Sequence, residues 1–178
     1  MKQLIFFWNR LYYGIFEYHR LTQILYYKII STIFVRFIFL FKRDETERNK
    51  VIALQRKNIS MLTDPRFSTI KTLSDQGIMI ISVLLTCASI DFISILFPCI
   101  SYWSRDNSSL VDFSTYFMMT APPPIAINYF FLWRKDRYLE YFKVFQKAPH
   151  RKNVIWMCTS ILLFILSIVL FFLGLSLH

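Results

Sequence analysis

The sequence is poor in the residues that build several common kinds of functional site. It has only three glycines, too few for a glycine-rich phosphate-binding loop, and no GxSxG, Walker or GxGxxG motif. Its three cysteines form no CxxC pair and no disulfide framework. The three histidines are scattered, without the HxxxH or HExxH spacing that holds a metal ion. We therefore predict no catalytic residue, no metal and no cofactor.

Polar surface is also scarce. Hydrophobic residues make up 55% of the 178 residues and nineteen residues are Phe, whereas a soluble domain of this size needs enough polar side chains to cover its core. This composition excludes a disordered chain, a collagen-like chain and an ordinary soluble enzyme. It predicts an all-α, polytopic helical membrane protein.

Three segments are apolar and long enough to cross about 30 Å of hydrocarbon as helices. They are Gly77–Trp103, which contains one charge at Asp91, and the uncharged segments Phe113–Trp133 and Val154–Leu177. Tryptophan beside Lys or Arg at their ends is typical of the membrane–water interface. A fourth segment, Ile29–Phe41, is short and contains Arg36, so an extra span within residues 25–41 stays an alternative.

The first 43 residues have another interpretation. On a helical wheel their charges fall within an arc of roughly 160°, and large apolar residues occupy the opposite arc. This pattern predicts an amphipathic helix lying in the membrane interface, with Gly14 as the position where it would break. We assign residues 44–76 to a cytoplasmic helical connector, and residues 77–177 to a three-span membrane domain with a cytoplasmic helix at 136–147.

Basic residues are distributed unevenly along the chain. Residues 1–76 carry thirteen Lys and Arg and residues 134–153 carry seven, whereas the segment between the first two predicted spans carries only Arg105. The positive-inside rule then predicts a cytoplasmic N-terminus and a C-terminus on the outer side. The composition resembles that of small helical membrane proteins from bacteria with low-GC genomes, which implies the inner (cytoplasmic) membrane.

Anionic lipid headgroups, rather than nucleic acid, are the expected counterions for the net charge of +10. The residues predicted to contact these headgroups are Arg10, Arg20, Lys28, Arg36, Lys42, Arg43, Arg134, Lys135, Arg151 and Lys152.

Two features of the predicted spans suggest a polar site near the membrane midplane. Asp91 is an ionisable residue within a span, where a charge is costly and marks a functional site by default. Three consecutive prolines interrupt the second span and free backbone carbonyls. The predicted site, a pore lining or an ion or proton site, comprises Asp91, Ser89, Ser94, Pro122, Pro123, Pro124 and Asn128. The alternative is a protonated Asp91 bonded to a neighbouring helix, and a proline kink without a ligand.

Three functions remain compatible with these patterns. The first is a non-enzymatic inner-membrane accessory protein, acting through contacts with lipid and with partner proteins. The second is an oligomeric pore- or channel-forming effector, for example in antiviral defence. The third is a small transporter subunit that uses Asp91 and the broken second span. The expected partners are the lipid bilayer and either further copies of the chain, as a homo-oligomer, or another membrane protein.

Overall fold

Helices account for all the regular secondary structure of the described residues. A computed structural model describes residues 1–41, 45–62, 64–66, 69–96, 118 and 120–176. The α-helices with defined bounds are α1 (Lys2–Phe41), α2 (Glu45–Leu62), α3 (Thr69–Leu96), α4 (Pro122–Asn128), α5 (Arg137–Gln146) and α6 (His150–Ser176). A π-helical segment (Tyr129–Trp133) and a 3₁₀ turn (Arg134–Asp136) connect α4 to α5. The predicted all-α class is confirmed for this part of the chain.

Two of these helices are long and apolar enough to cross a membrane. The qualifying stretches, Thr69–Ile93 in α3 and His150–Gly174 in α6, have 25 residues each. Such a helix is about 37 Å long and exceeds the hydrocarbon thickness. Only 11% of the most apolar window of α6 is buried, against 33% in α3, whereas the core helix of a soluble protein would be mostly buried.

These helices correspond to the first and third predicted spans, with different bounds. Helix α3 begins at Thr69 rather than at Gly77, and residues 97–103 of the first predicted span lie outside the described residues. Helix α6 begins at His150 and so includes the basic residues that precede the third predicted span.

The second predicted span is not confirmed. Its described part contains the seven-residue α4, which begins at Pro122, followed by the π-helical segment. Proline is tolerated at the first positions of a helix because the N–H groups there have no acceptor within the helix. The proline run therefore starts a short helix. Residues 25–41 lie within α1, which does not qualify as a span, so three or four crossings are not confirmed.

The chain divides into two compact units. Met1–Ile15 and Asp75–His178 form the first, and Phe16–Ser74 forms the second. The first part of α1 is the central helix of the first unit, because consecutive residues on every side of it are buried: Asn9, Arg10, Leu11, Tyr12 and Tyr13. This arrangement differs from the interfacial placement predicted for these residues. Large side chains at consecutive positions cover the whole circumference of a helix, and such a helix is stable when it is surrounded.

Aromatic rings join the central helix to α5. The ring of Tyr13 lies 4.8 Å from that of Phe142, edge to face, and the ring of Phe6 lies 5.3 Å from that of Phe145. The ring of Tyr12 also lies 5.5 Å from that of Phe142. These separations are in the favourable range for aromatic pairs. The aromatic face of α5 is therefore a packing face.

Gly14 lies where the backbones of α1 and α6 approach each other closely. A methyl group at Gly14 would lie 2.7 Å from the carbonyl oxygen of Trp156 and would also overlap the hydroxyl of Ser160. The Ser160 hydroxyl donates a hydrogen bond to the carbonyl oxygen of Leu11, 3.0 Å away. Helix α1 continues through Gly14, so this glycine provides space for a helix crossing and does not break the helix.

The second unit contains the rest of α1, α2 and the first residues of α3. The side-chain amide of Asn58 in α2 donates to the hydroxyl of Tyr27 in α1 at 3.2 Å. The opposite side of α1 exposes large apolar side chains: Leu25, Tyr26, Ile29, Ile33 and Phe37. We call these five residues the apolar stripe of α1.

Candidate functional site

Asn128 is the centre of a buried hydrogen-bond cluster in the first unit. Its side chain is fully buried at the end of α4. The indole N–H of Trp8 donates to its Oδ1 at 3.0 Å. Its Nδ2 donates to the hydroxyl of Ser82 at 2.7 Å and to the carbonyl oxygen of Pro124 at 2.9 Å. One amide thus links α1, α3 and α4.

The neighbouring Asn9 joins the central helix to the π-helical segment. Its Nδ2 donates to the carbonyl oxygen of Phe131 at 2.9 Å and to that of Ile5 at 2.8 Å. A π-helical turn changes the spacing of the backbone hydrogen bonds, and such turns are frequent at functional sites. Here a buried asparagine binds a carbonyl of that turn.

A second polar cluster surrounds Asp75 near the start of α3. The Tyr12 hydroxyl donates to Oδ1 of Asp75 at 2.6 Å, and the indole N–H of Trp133 donates to the same oxygen at 3.0 Å. The ring of Tyr138 lies 5.7 Å from that of Tyr12. Burial and, to a smaller extent, the Asp75 carboxylate raise the pKa of the Tyr12 hydroxyl well above its ordinary range.

The raised pKa of Tyr12 predicts a loss of stability in alkali. The unfolded chain releases the Tyr12 proton near pH 10, whereas the folded protein keeps it. The stabilisation is therefore complete below the unfolded-state pKa and falls above it, by about 1 kcal/mol by about pH 11. Tyr12→Phe should lower stability by about 1 kcal/mol at neutral pH and should reduce the alkaline loss. Thermal unfolding in detergent from about pH 7 to pH 11 measures both effects. An alkaline loss of equal size in the variant would contradict this assignment.

Arg10 lies inside the protein. Its side chain is 3% exposed, and Nη2 donates to Oδ1 of Asn153 at 2.8 Å. The guanidinium carbon is 4.4 Å from the ring centre of Phe145 and 5.9 Å from that of Trp156, within cation–π range. This position differs from the predicted contact with lipid headgroups, because the helix that carries Arg10 is the central one.

Asp91 occupies a different level of α3 from the Asn128 cluster. It lies nine residues after Ser82, roughly 13 Å along the helix axis. It is 7% exposed and faces Gly174 of α6, where a methyl group would lie 3.0 Å from its Oδ2. The glycine leaves room for the carboxyl group beside the backbone of α6. Asp91 and Asn128, predicted to share one midplane site, are thus brought to two separate places.

The remaining residues of the predicted midplane site have separate surroundings. Ser89 is exposed and its hydroxyl donates to the Leu85 carbonyl of its own helix at 2.6 Å. Ser94 lies in α3, but its side chain is outside the described part of the structure. Of the three prolines, Pro124 is buried, whereas Pro122 and Pro123 are exposed.

The other predicted headgroup residues are mostly at the surface. Arg20 is half-buried and forms an ion pair with Glu17 at 2.6 Å. Lys42 and Arg43 lie outside the described residues. The exposed members are Lys28, Arg36, Arg134, Lys135, Arg151 and Lys152.

Several residues of these clusters were missed in the sequence analysis: Trp8, Asn9, Tyr12, Asp75, Trp133 and Asn153. One signal was available, because Asn9 and Arg10 interrupt an apolar run and two polar residues there require partners if the run is buried. The sequence alone does not show which residues would bond to them. Asn128 is 120 positions from Trp8, and Asn153 is 143 positions from Arg10.

The fold and the buried clusters define a helical protein with two potential membrane-spanning helices and polar groups concentrated around its central helix. No known protein family, curated protein or solved structure matches the chain.

Proposed function

We propose that the protein is a non-enzymatic membrane accessory protein that α3 and α6 hold in the bilayer. The observation that carries this proposal is the exposed surface of α6. Large apolar side chains are exposed along most of that helix: Ile155, Leu162, Ile165, Leu166, Val169, Phe172 and Leu173. Fully burying one such side chain is worth about 1.5–3 kcal/mol, so contact with hydrocarbon stabilises this surface.

The start of α6 supports the same proposal. Arg151 and Lys152 are exposed immediately before the apolar stretch, and the half-buried Trp156 follows them within about one turn. Basic residues and tryptophan at the end of an apolar helix are typical of the headgroup level. The inner membrane, with this end of α6 on the cytoplasmic side, is part of the proposal.

The apolar stripe of α1 supports a role in contacts outside the chain. Its side chains are 53% to 65% exposed, and the basic residues Lys28 and Arg36 are exposed in the same part of the helix. An apolar face with basic residues suits a helix at an anionic membrane surface, or one that packs on a partner in the membrane. We propose that the protein acts through this stripe.

The membrane proposal can be tested by placing charge on α6. The double variant Leu162→Lys/Leu166→Lys puts two charges in the middle of the helix, at an insertion cost of about 3 kcal/mol each. We expect the wild-type chain to resist carbonate extraction and the variant to be extracted or degraded. The matched control is Leu54→Lys/Met61→Lys on the polar helix α2, where the exposure is similar: 64% at Leu54 against 66% at Leu162. Release of the wild-type chain by carbonate would overturn the proposal.

A second candidate function, a subunit that moves protons or cations, is favoured by one observation. Asp91 is a largely buried carboxyl group within a potential membrane span. In liposomes that contain a pH-sensitive dye, this function predicts a proton flux that Asp91→Asn abolishes and that Thr159→Ala, which removes a hydroxyl bonded within α6, leaves unchanged. An equal flux in Asp91→Asn would remove this candidate. If the protein formed a symmetric oligomer and liposomes that contain it leaked large dyes, the pore-forming alternative would be favoured instead.

A further inference from the structure

The turn between α4 and α5 concentrates basic side chains at the surface. After the π-helical segment, the chain reverses through Lys135 and Asp136, whose φ angles are 58° and 49°. Arg134 and Lys135 are exposed in this turn, and Arg137, the first residue of α5, is half-buried. The exposed carboxylate of Asp136 is the acidic group of this turn, so three cations stand against one anion.

Phe130 positions two of these cations. The guanidinium carbon of Arg134 lies 5.7 Å from the centre of the Phe130 ring. Nη1 of Arg137 donates to the backbone carbonyl oxygen of Phe130 at 3.0 Å. Both guanidinium groups are therefore arranged around one residue of the π-helical segment. A guanidinium has five donors, and this bond uses one of those of Arg137.

Exposed aromatic rings continue this basic surface. Phe130 is 48% exposed and the preceding Tyr129 is 51% exposed, and their rings pack edge to face at 5.4 Å. Aromatic rings beside cations match the boundary between the headgroups and the acyl chains of a lipid. A soluble phosphate would engage the cations alone, whereas a phospholipid would also cover the rings.

We propose that Arg134 and Arg137 bind the phosphate of an anionic phospholipid, whose glycerol and upper acyl region covers Phe130 and Tyr129. Planar guanidinium groups bind phosphate through paired, charge-assisted hydrogen bonds, which a lysine cannot reproduce. Arg134, with its guanidinium over the ring of Phe130, and Arg137, bonded to the carbonyl of the same residue, supply these donors from one turn. The inference rests on the proposed membrane function and adds to it a defined site and a headgroup class.

The test measures the binding of short-chain phosphatidylglycerol to the purified full-length protein in a non-ionic detergent. Phosphatidylcholine of the same chain length is the neutral comparison. The variant is Arg134→Gln/Arg137→Gln. The matched control is Lys143→Gln/Lys147→Gln, which removes the same charge from exposed residues of the same unit. We expect the dissociation constant to rise roughly tenfold or more in the variant, and less than about threefold in the control.

A charge-preserving variant distinguishes a specific phosphate site from general electrostatic attraction of the lipid to a basic surface. Arg134→Lys/Arg137→Lys keeps both charges but loses the guanidinium geometry, and we expect it to weaken binding by roughly threefold to tenfold. It also serves as the test if the glutamine variant does not fold. Equal weakening in the glutamine variant and its control, or wild-type affinity in the lysine variant, would overturn the proposal.

A competition measurement identifies the source of the phosphate, and a comparison of the binding and extraction tests shows which of the two proposals fails. Inorganic phosphate at roughly 10 mM should not displace phosphatidylglycerol, because apolar contact with the rings contributes to lipid binding. Displacement would assign the site to soluble phosphate and overturn the lipid assignment. Because binding is measured in detergent, a wild-type protein that does not bind phosphatidylglycerol refutes the lipid site and leaves the membrane proposal standing, whereas carbonate extraction of the wild-type chain refutes the membrane proposal.

Discussion

Gly14→Ala is expected to destabilise the protein by about 2–3 kcal/mol, although alanine is the better helix former by about 1 kcal/mol. The added methyl group would lie 2.7 Å from the carbonyl oxygen of Trp156. That oxygen belongs to the backbone of α6, so the overlap is relieved only if the two helices move apart. Separation would also weaken the bonds from Ser160 to Leu11 and from Arg10 to Asn153. Thermal unfolding in detergent, followed by circular dichroism, measures the loss.

Gly77→Ala is the matched control for this prediction. Among the described residues, the atom that its methyl group would meet is Cγ2 of Ile15, 3.1 Å away, and a side chain can shift where a backbone cannot. We expect the stability of Gly77→Ala to stay within about 1 kcal/mol of wild type, since the gain in helix propensity offsets the close contact. If Gly14→Ala were at least as stable as Gly77→Ala, the close crossing of α1 and α6 would be wrong.

Asn128→Leu is expected to cost about 2–3 kcal/mol, because it removes the amide that links three helices while keeping a similar volume. The Trp8 indole N–H loses its acceptor, and the Ser82 hydroxyl and the Pro124 carbonyl lose a donor. A polar group left unsatisfied in a buried place costs more than the net value of the bond that it made. The same unfolding measurement applies.

A double variant and a surface variant make the Asn128 prediction specific. Asn128→Leu leaves the indole N–H of Trp8 without its acceptor, and Trp8→Phe removes that N–H. The double variant should therefore lose about 1 kcal/mol less stability than the sum of the two single losses. Asn58→Leu removes a half-buried amide that donates to Tyr27, and should cost less than about 1 kcal/mol. Equal losses for Asn128→Leu and Asn58→Leu would contradict the central role of Asn128.

Some elements could be predicted because their signal is contained in a short stretch of sequence. Helix α6 follows from a long uncharged run with basic residues before it, and α3 follows from hydropathy apart from its early start at Thr69. Helical spacing in the sequence also places Tyr138, Phe142 and Phe145 on one face of α5, and all three are buried. Each of these predictions uses only residues within one helix.

Two placements that differ from the expectation share another cause. Arg10 was assigned to lipid headgroups, and Asp91 was grouped with Asn128, because hydropathy and wheel patterns do not specify which helix covers a face. The burial of Arg10 depends on Phe145, Asn153 and Trp156, which lie far away along the chain. The separation of Asp91 from Asn128 depends on where α4 and α6 meet α3.

The sequence by itself determined that the described residues are helical and, of the three predicted spans, that the first and the third are apolar enough to cross a membrane, because these properties depend on side-chain hydropathy and spacing within one short stretch. Only the tertiary structure decided that residues 9–15 are buried on every side of α1 and that two arginines gather around Phe130. The first feature depends on contacts between segments far apart in the chain, and the second on a left-handed turn at Lys135 and Asp136, where the sequence has no glycine. Local preference disfavours that turn, so the surrounding packing must stabilise it.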